Sequence, residues 1–143
     1  MLLNLLIGIP MTVLCLVLQA AMVGLSLHHY LHYRQSRERH GRGNTILILS
    51  LVMLLMMFGN LMQMGIWALL FVFLGEFQSL SQALYFSGVT FATLGYGDVV
   101  LSPKWQLLSA LEAANGILMF GVSTAVTTAA LSDVMKHYRQ QFN

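Results

Sequence analysis

The run Thr93-Leu94-Gly95-Tyr96-Gly97-Asp98 has residue types and a spacing that could do chemistry. That chemistry is the ligation of a bare cation by backbone oxygen. Backbone that is neither helix nor strand is tolerated at membrane depth only where protein buries it or where it lines a watery cavity. In the second case its carbonyls can replace the hydration shell of a dehydrated cation. Glycine at alternate positions, Gly95 and Gly97, lets successive carbonyls point toward one axis, because a β-carbon resists the dihedral angles this requires. The Thr93 hydroxyl would add a ring of oxygens at one end of the run. Tyr96 would point away from the axis and brace it. The expected cation ligands are the backbone carbonyls of Thr93, Leu94, Gly95 and Tyr96, with the Thr93 hydroxyl.

Such a run needs elements that place it at membrane depth. Gln78 to Ala92 reads as a short helix that Ser79 or Ser81 could cap. Its C-terminus, the negative end of the helix dipole, would aim at the run and favour a cation there. Around it the chain is 57% hydrophobic and 8% charged. A soluble domain carries about 25% charged residues, so the composition excludes a soluble enzyme and a disordered chain. A net charge of +2 gives no basic footprint for nucleic acid. Cys15 is the single cysteine, so no disulfide within the chain is available. There is no nucleotide-binding loop, zinc framework or nucleophile–base pair, and no catalytic residue or organic cofactor is expected.

Asp, Glu, Lys and Arg are absent from Met1 to Tyr33 and from Gly43 to Gly75, and between Trp105 and Ser132 only Glu112 intervenes. Each stretch exceeds the roughly 20 residues that span a bilayer as a helix. The first lacks a basic leader and is too long for a secretory signal core, so it reads as a retained transmembrane helix. Four arginines, Arg34, Arg37, Arg39 and Arg42, follow it, and Lys136 and Arg139 lie near the end. Positive loops stay in the cytoplasm. The expectation is three crossings, with the N-terminus outside and the C-terminus cytoplasmic, in a cell (plasma or inner) membrane. The segment between the second and third crossings then starts and finishes on one side, as a re-entrant loop. Tyr30, Tyr33, Trp105 and Tyr138 fall near the expected ends, where aromatic belts form.

With that context, Thr93-Leu94-Gly95-Tyr96-Gly97-Asp98 resembles the selectivity filter of potassium channels. The resemblance runs from about Thr45 to about Asp133, and Leu111-Glu112-Ala113-Ala114-Asn115-Gly116 is similar to the inner helix of bacterial inward-rectifier-type channels. It implies an all-α membrane protein with a re-entrant pore helix, assembled as a homotetramer around one pore that passes K+ without enzymatic chemistry. The implied layout is an extra N-terminal helix (1–33), a basic loop (34–43) and a pore module (44–138). The module holds an outer helix (44–75), a pore helix (78–92), the filter (93–98) and an inner helix (104–138). Two positions depart from the family pattern. Leu94 stands where Val is usual, and Val89 stands where some members carry a Glu paired to the filter Asp. Tyr85 resembles an aromatic that hydrogen-bonds that Asp.

Other residues carry two readings each. Gly116 is a hinge by resemblance, or a site of close helix packing. Ile117, Phe120, Thr124 and Thr128 follow at helical spacing, so they share a face; by resemblance it lines the cavity and lower gate, and otherwise it faces lipid or packs. Glu112, an acid within a span, is a functional candidate that could bond Ser87 or Thr90 and support the filter from behind, or a packing residue. His28, His29 and His32 could sense pH or bind a metal, or simply sit at the membrane boundary. The arginine loop could touch anionic lipid or act only as a topology signal. No span has arginine at every third position, so no voltage sensor is expected, nor a ligand-binding ring after Asn143. Two rivals to K+ selectivity stand: a weakly selective cation channel and a non-conducting accessory or sensor subunit. A Trk-type carrier would place four degenerate repeats in one chain, where this chain has one intact repeat.

Overall fold

A computed structural model describes the backbone of residues 1–35 and 43–142, and side chains within residues 1–32 and 46–136. It is all helical over the described residues: α1 (Leu2–Gln35), α2 (Gly43–Phe73), α3 (Leu80–Phe91) and α4 (Gln106–Phe142). Three of these are long and apolar enough to cross a membrane, over Leu2–His32, Ile46–Phe73 and Gln106–Lys136. The chain is a multi-pass membrane protein. The short α3 sits between the second and third spans.

The α2 stop shows why the chain turns where it does. The Gly75 amide donates to the Val72 carbonyl and the Glu76 amide to the Phe71 carbonyl, 3.0 Å each, with Gly75 at φ 76°. This is the left-handed helix stop that glycine accepts without a β-carbon clash. The Glu76 carboxylate then clamps the far side of the loop, accepting from the Ser102 amide (2.6 Å) and the Ser102 hydroxyl (2.8 Å). The segment between α2 and α4 therefore leaves and rejoins the spans at one end of the bundle, with α3 dipping between.

Aromatic rings seat α3 on α2. Phe86 meets Phe71 edge-on and lies against Phe77, each at 5.3 Å between centroids. Lipid tails are as apolar as these rings, so packing and hydrogen bonds hold spans together rather than a hydrophobic drive.

Helix α1 packs on both α2 and α4, and polar side chains tie it at three depths. Near its start the Asn4 amide donates to the Lys104 carbonyl (2.9 Å). Midway the Gln63 amide donates to Gln19 Oε1 (2.8 Å), and Gln19 donates in turn to the Ser123 hydroxyl (3.1 Å). Near its end the Tyr30 hydroxyl donates to Asp133 Oδ2 (2.6 Å). In membrane proteins such bonds contribute on the order of 0.6 kcal/mol each; their direction, more than their strength, fixes the register of α1.

Candidate functional site

Ser79 caps α3: its side chain accepts from the Gln82 amide at 3.2 Å, its backbone is extended, and the first helical residue is Leu80. The helix is shorter than the expected 78–92 at both ends. Its start is set by that cap, and its end by the dihedral angles of the next residues. The Thr93 amide donates to the Thr90 carbonyl and the Leu94 amide to the Val89 carbonyl, 2.9 Å each. This is the same stop that closes α2, with Thr93 at φ 59° in the position glycine held there.

From that point φ is positive at Thr93 (59°), Gly95 (56°) and Gly97 (76°), and at neither residue between. Alternation of left-handed and ordinary residues turns successive carbonyls to one side. No backbone amide of the chain donates to the carbonyls of Thr93, Leu94, Gly95 or Tyr96 among the described residues. The whole run from Thr93 to Asp98 is exposed in the single chain, Leu94 at 56% and Tyr96 at 66%.

Contacts along its length hold this run and its helix. At the open end the Tyr85 hydroxyl donates to Asp98 Oδ2 at 2.7 Å, and that carboxylate pushes the Tyr85 phenol up from its ordinary range. Val89, besides accepting from Leu94, lines the groove behind Thr93 and Gly95. In the middle of α3 the buried Ser87 hydroxyl lies 2.8 Å from the Met64 carbonyl of α2 and is hydrogen-bonded to Glu112 Oε1 of α4. At the inner end Gly116 lies against the last residue of α3. A β-carbon there would fall 1.9 Å from the Phe91 carbonyl oxygen. Gly116 thus has a packing reason to be glycine, which leaves its residue type no longer evidence for a hinge.

Below that contact Ile117, Phe120, Thr124 and Thr128 all lie on the exposed surface of the chain. Phe120 meets Phe91 edge-on at 5.6 Å. The Thr124 hydroxyl donates to the Phe120 carbonyl of its own helix at 2.8 Å, so its presence alone does not mark a wet surface. His28, His29 and His32 are exposed, with His28 and His32 stacked at 6.3 Å. Among the described residues, no group of three or more His, Cys, Asp or Glu is placed to hold a metal ion. Arg37, Arg39 and Arg42 lie outside the described residues, and of Arg34 only the backbone is described.

Sequence reasoning missed the Glu76–Ser102 clamp and the polar ties of α1. The signal for the ties was present: Asn4, Gln19, Asn60 and Gln63 are polar residues inside apolar runs, and all four are buried. Polar side chains in spans face other helices.

The sequence profile of a family described as ion channel matches residues 49–133, from within α2 to within α4, and leaves α1 outside. No curated protein and no solved structure matched the chain. The matched region takes in more than half of the chain and covers α3 and the run 93–98 whole. On that match, with three spans and a re-entrant segment between the last two, the chain belongs to the ion channel family.

Proposed function

We propose that this ion channel is selective for K+, and that four copies of the chain surround one pore. The observation that carries the reading is the alternation of positive φ at Thr93, Gly95 and Gly97. It gives each chain one strand of carbonyls facing a single direction, from Thr93 through Tyr96. A dehydrated ion needs oxygens on all sides, and one strand supplies one side. Closed cyclic assembly supplies the others. Exposure of Leu94 and Tyr96 in the lone chain supports this, because at membrane depth such a segment must be covered by protein. In this reading the Leu94 side chain faces the surrounding helices, so its replacement of the usual Val leaves the carbonyl ring intact.

In this reading Tyr85 and Asp98 fix the outer mouth, and Glu112 supports α3 from behind. Ile117, Phe120, Thr124 and Thr128 line the cavity and gate below Gly116. The basic loop, Arg34 to Arg42, lies in the cytoplasm, within reach of anionic lipid. The N-terminus is then outside.

Flux through purified protein in liposomes, with a K+ gradient opposed by an equal Na+ gradient, tests the proposal. The expected result is a reversal potential near the K+ equilibrium value, abolished in Gly95→Ala, whose new β-carbon meets a φ of 56°. A potential near zero would mean a weakly selective cation channel. No current from a verified tetramer would favour the accessory-subunit reading.

A further inference from the structure

Behind the proposed filter, the oxygens around Ser87 outnumber the protons available to join them. The Ser87 hydroxyl oxygen is in hydrogen-bonding contact with two others, the Met64 carbonyl of α2 and Glu112 Oε1 of α4. Each contact needs a proton between its oxygens, since two lone pairs at that separation repel. A carbonyl has none to give, and a serine hydroxyl has one. If Glu112 were a carboxylate, one of the two contacts would have no proton in it.

The surroundings agree with the count. Glu112 is 0% exposed, its Oε2 has no partner, and Ser87 is the one side chain hydrogen-bonded to it among the described residues. The groups packed around it are neutral: the Met64 carbonyl and Trp67 of α2, Ser87 of α3, the Cys15 thiol of α1, and Asn115 one turn further along α4. Among the described residues, no lysine, arginine or histidine faces it. A buried carboxylate with neither a counter-charge nor a set of donors is the costly case in a protein interior and more so in a membrane.

We infer that Glu112 is held as a neutral acid in the resting protein, donating its proton to Ser87 Oγ while Ser87 donates to the Met64 carbonyl. This rests on the channel reading only for its consequence. The two-proton chain joins α4, α3 and α2 at one point and fixes the rotation of α3 about its own axis. Glu112 is therefore a positioning residue for the run that follows α3, and its charge takes no part.

The test has a spectroscopic arm and a flux arm. In infrared difference spectra of the reconstituted protein at neutral pH, wild type minus Glu112→Gln, the expected signal is the carbonyl band of a protonated carboxyl. It should shift in D2O and be missing from the variant. No such band in the wild type, with Glu112 contributing to the carboxylate region instead, overturns the inference whatever the variants do. In flux assays, Glu112→Ala should lower the K+ to Na+ ratio by about tenfold, the loss of one buried hydrogen bond. Glu112→Gln, whose amide can donate to Ser87 as the acid does, should restore it to within about twofold on the same scale. Glu112→Gln as damaged as Glu112→Ala, in tetramers of normal size, would mean that the charge is required and would overturn the neutral acid. An unaltered ratio in Glu112→Ala would overturn the positioning role. The infrared arm needs no current, so failure of the channel reading is distinguishable from failure of this one.

Discussion

Two helices of this protein end on the same hydrogen-bond pattern with different residues at its strained position. At the end of α2 the left-handed residue is Gly75; at the end of α3 it is Thr93. For a residue with a β-carbon that conformation costs about 1–2 kcal/mol. The α2 end takes the residue that avoids the cost, and nothing lies within 4 Å of where a Gly75 β-carbon would be. The α3 end accepts the cost, and the helix that leads into it is braced by Ser87 and Glu112 and by α4 against the Phe91 carbonyl. One turn serves the chain path alone. The other puts a hydroxyl at a fixed point, and the surroundings hold it there against its local preference.

Substitutions on either side of that contrast can break or sharpen it. The largest effect is expected behind α3. Gly116→Ala puts a methyl group 1.9 Å from backbone oxygen rather than from a flexible side chain, so α3 or α4 must move. The loss should reach at least about 3 kcal/mol, the upper end of overpacking penalties, seen as failure to recover assembled protein or as a large drop in the thermal midpoint in detergent. Gly75→Thr places at the α2 end what the α3 end already carries. It should cost about 1–2 kcal/mol in unfolding and leave the ratio of K+ to Na+ flux unchanged. The reciprocal Thr93→Gly relieves the strain but loosens the unfolded chain, for a net gain of no more than about 1 kcal/mol. It should nevertheless lower selectivity, because the hydroxyl is gone. A Thr93→Gly protein that is less stable and equally selective would mean the two ends do not differ in purpose.

The parts legible in the sequence were those whose cause is local. Three long apolar stretches predict three spans, a cap at Ser79 or Ser81 places the start of α3 within two residues, and the glycine alternation predicts unusual dihedral angles at 95 and 97. Thr93 was expected to give oxygen, but its positive φ was not foreseen, because only the helix stop ahead of it reveals that requirement. What depended on a distant partner was illegible or ambiguous. In the sequence Gly116 reads equally as hinge or packing site, and its packing reason lies in the Phe91 carbonyl opposite, 25 positions away. The first helix had no assigned place because Asn4, Gln19 and Tyr30 do not announce partners about 100 residues away. Glu112 stood between two possible bonds, and the packing of α3 selected Ser87 over Thr90.

The midpoint tie of α1 also constrains how the protein is made. Gln19 finds its last partner, Ser123, 104 residues later in the chain. A ribosome adding about 5–20 residues per second takes several seconds over that length. Throughout that interval the first helix is already synthesised, with a polar side chain that hydrocarbon penalises. Gln63, 44 residues on, arrives first and occupies Gln19 Oε1. The first two helices can therefore pair as a hairpin within the bilayer, leaving the Gln19 amide ready for α4. The order in which the partners of Gln19 are synthesised, Gln63 before Ser123, thus lets a helix outside the matched channel region be held by α2 before α4 is made.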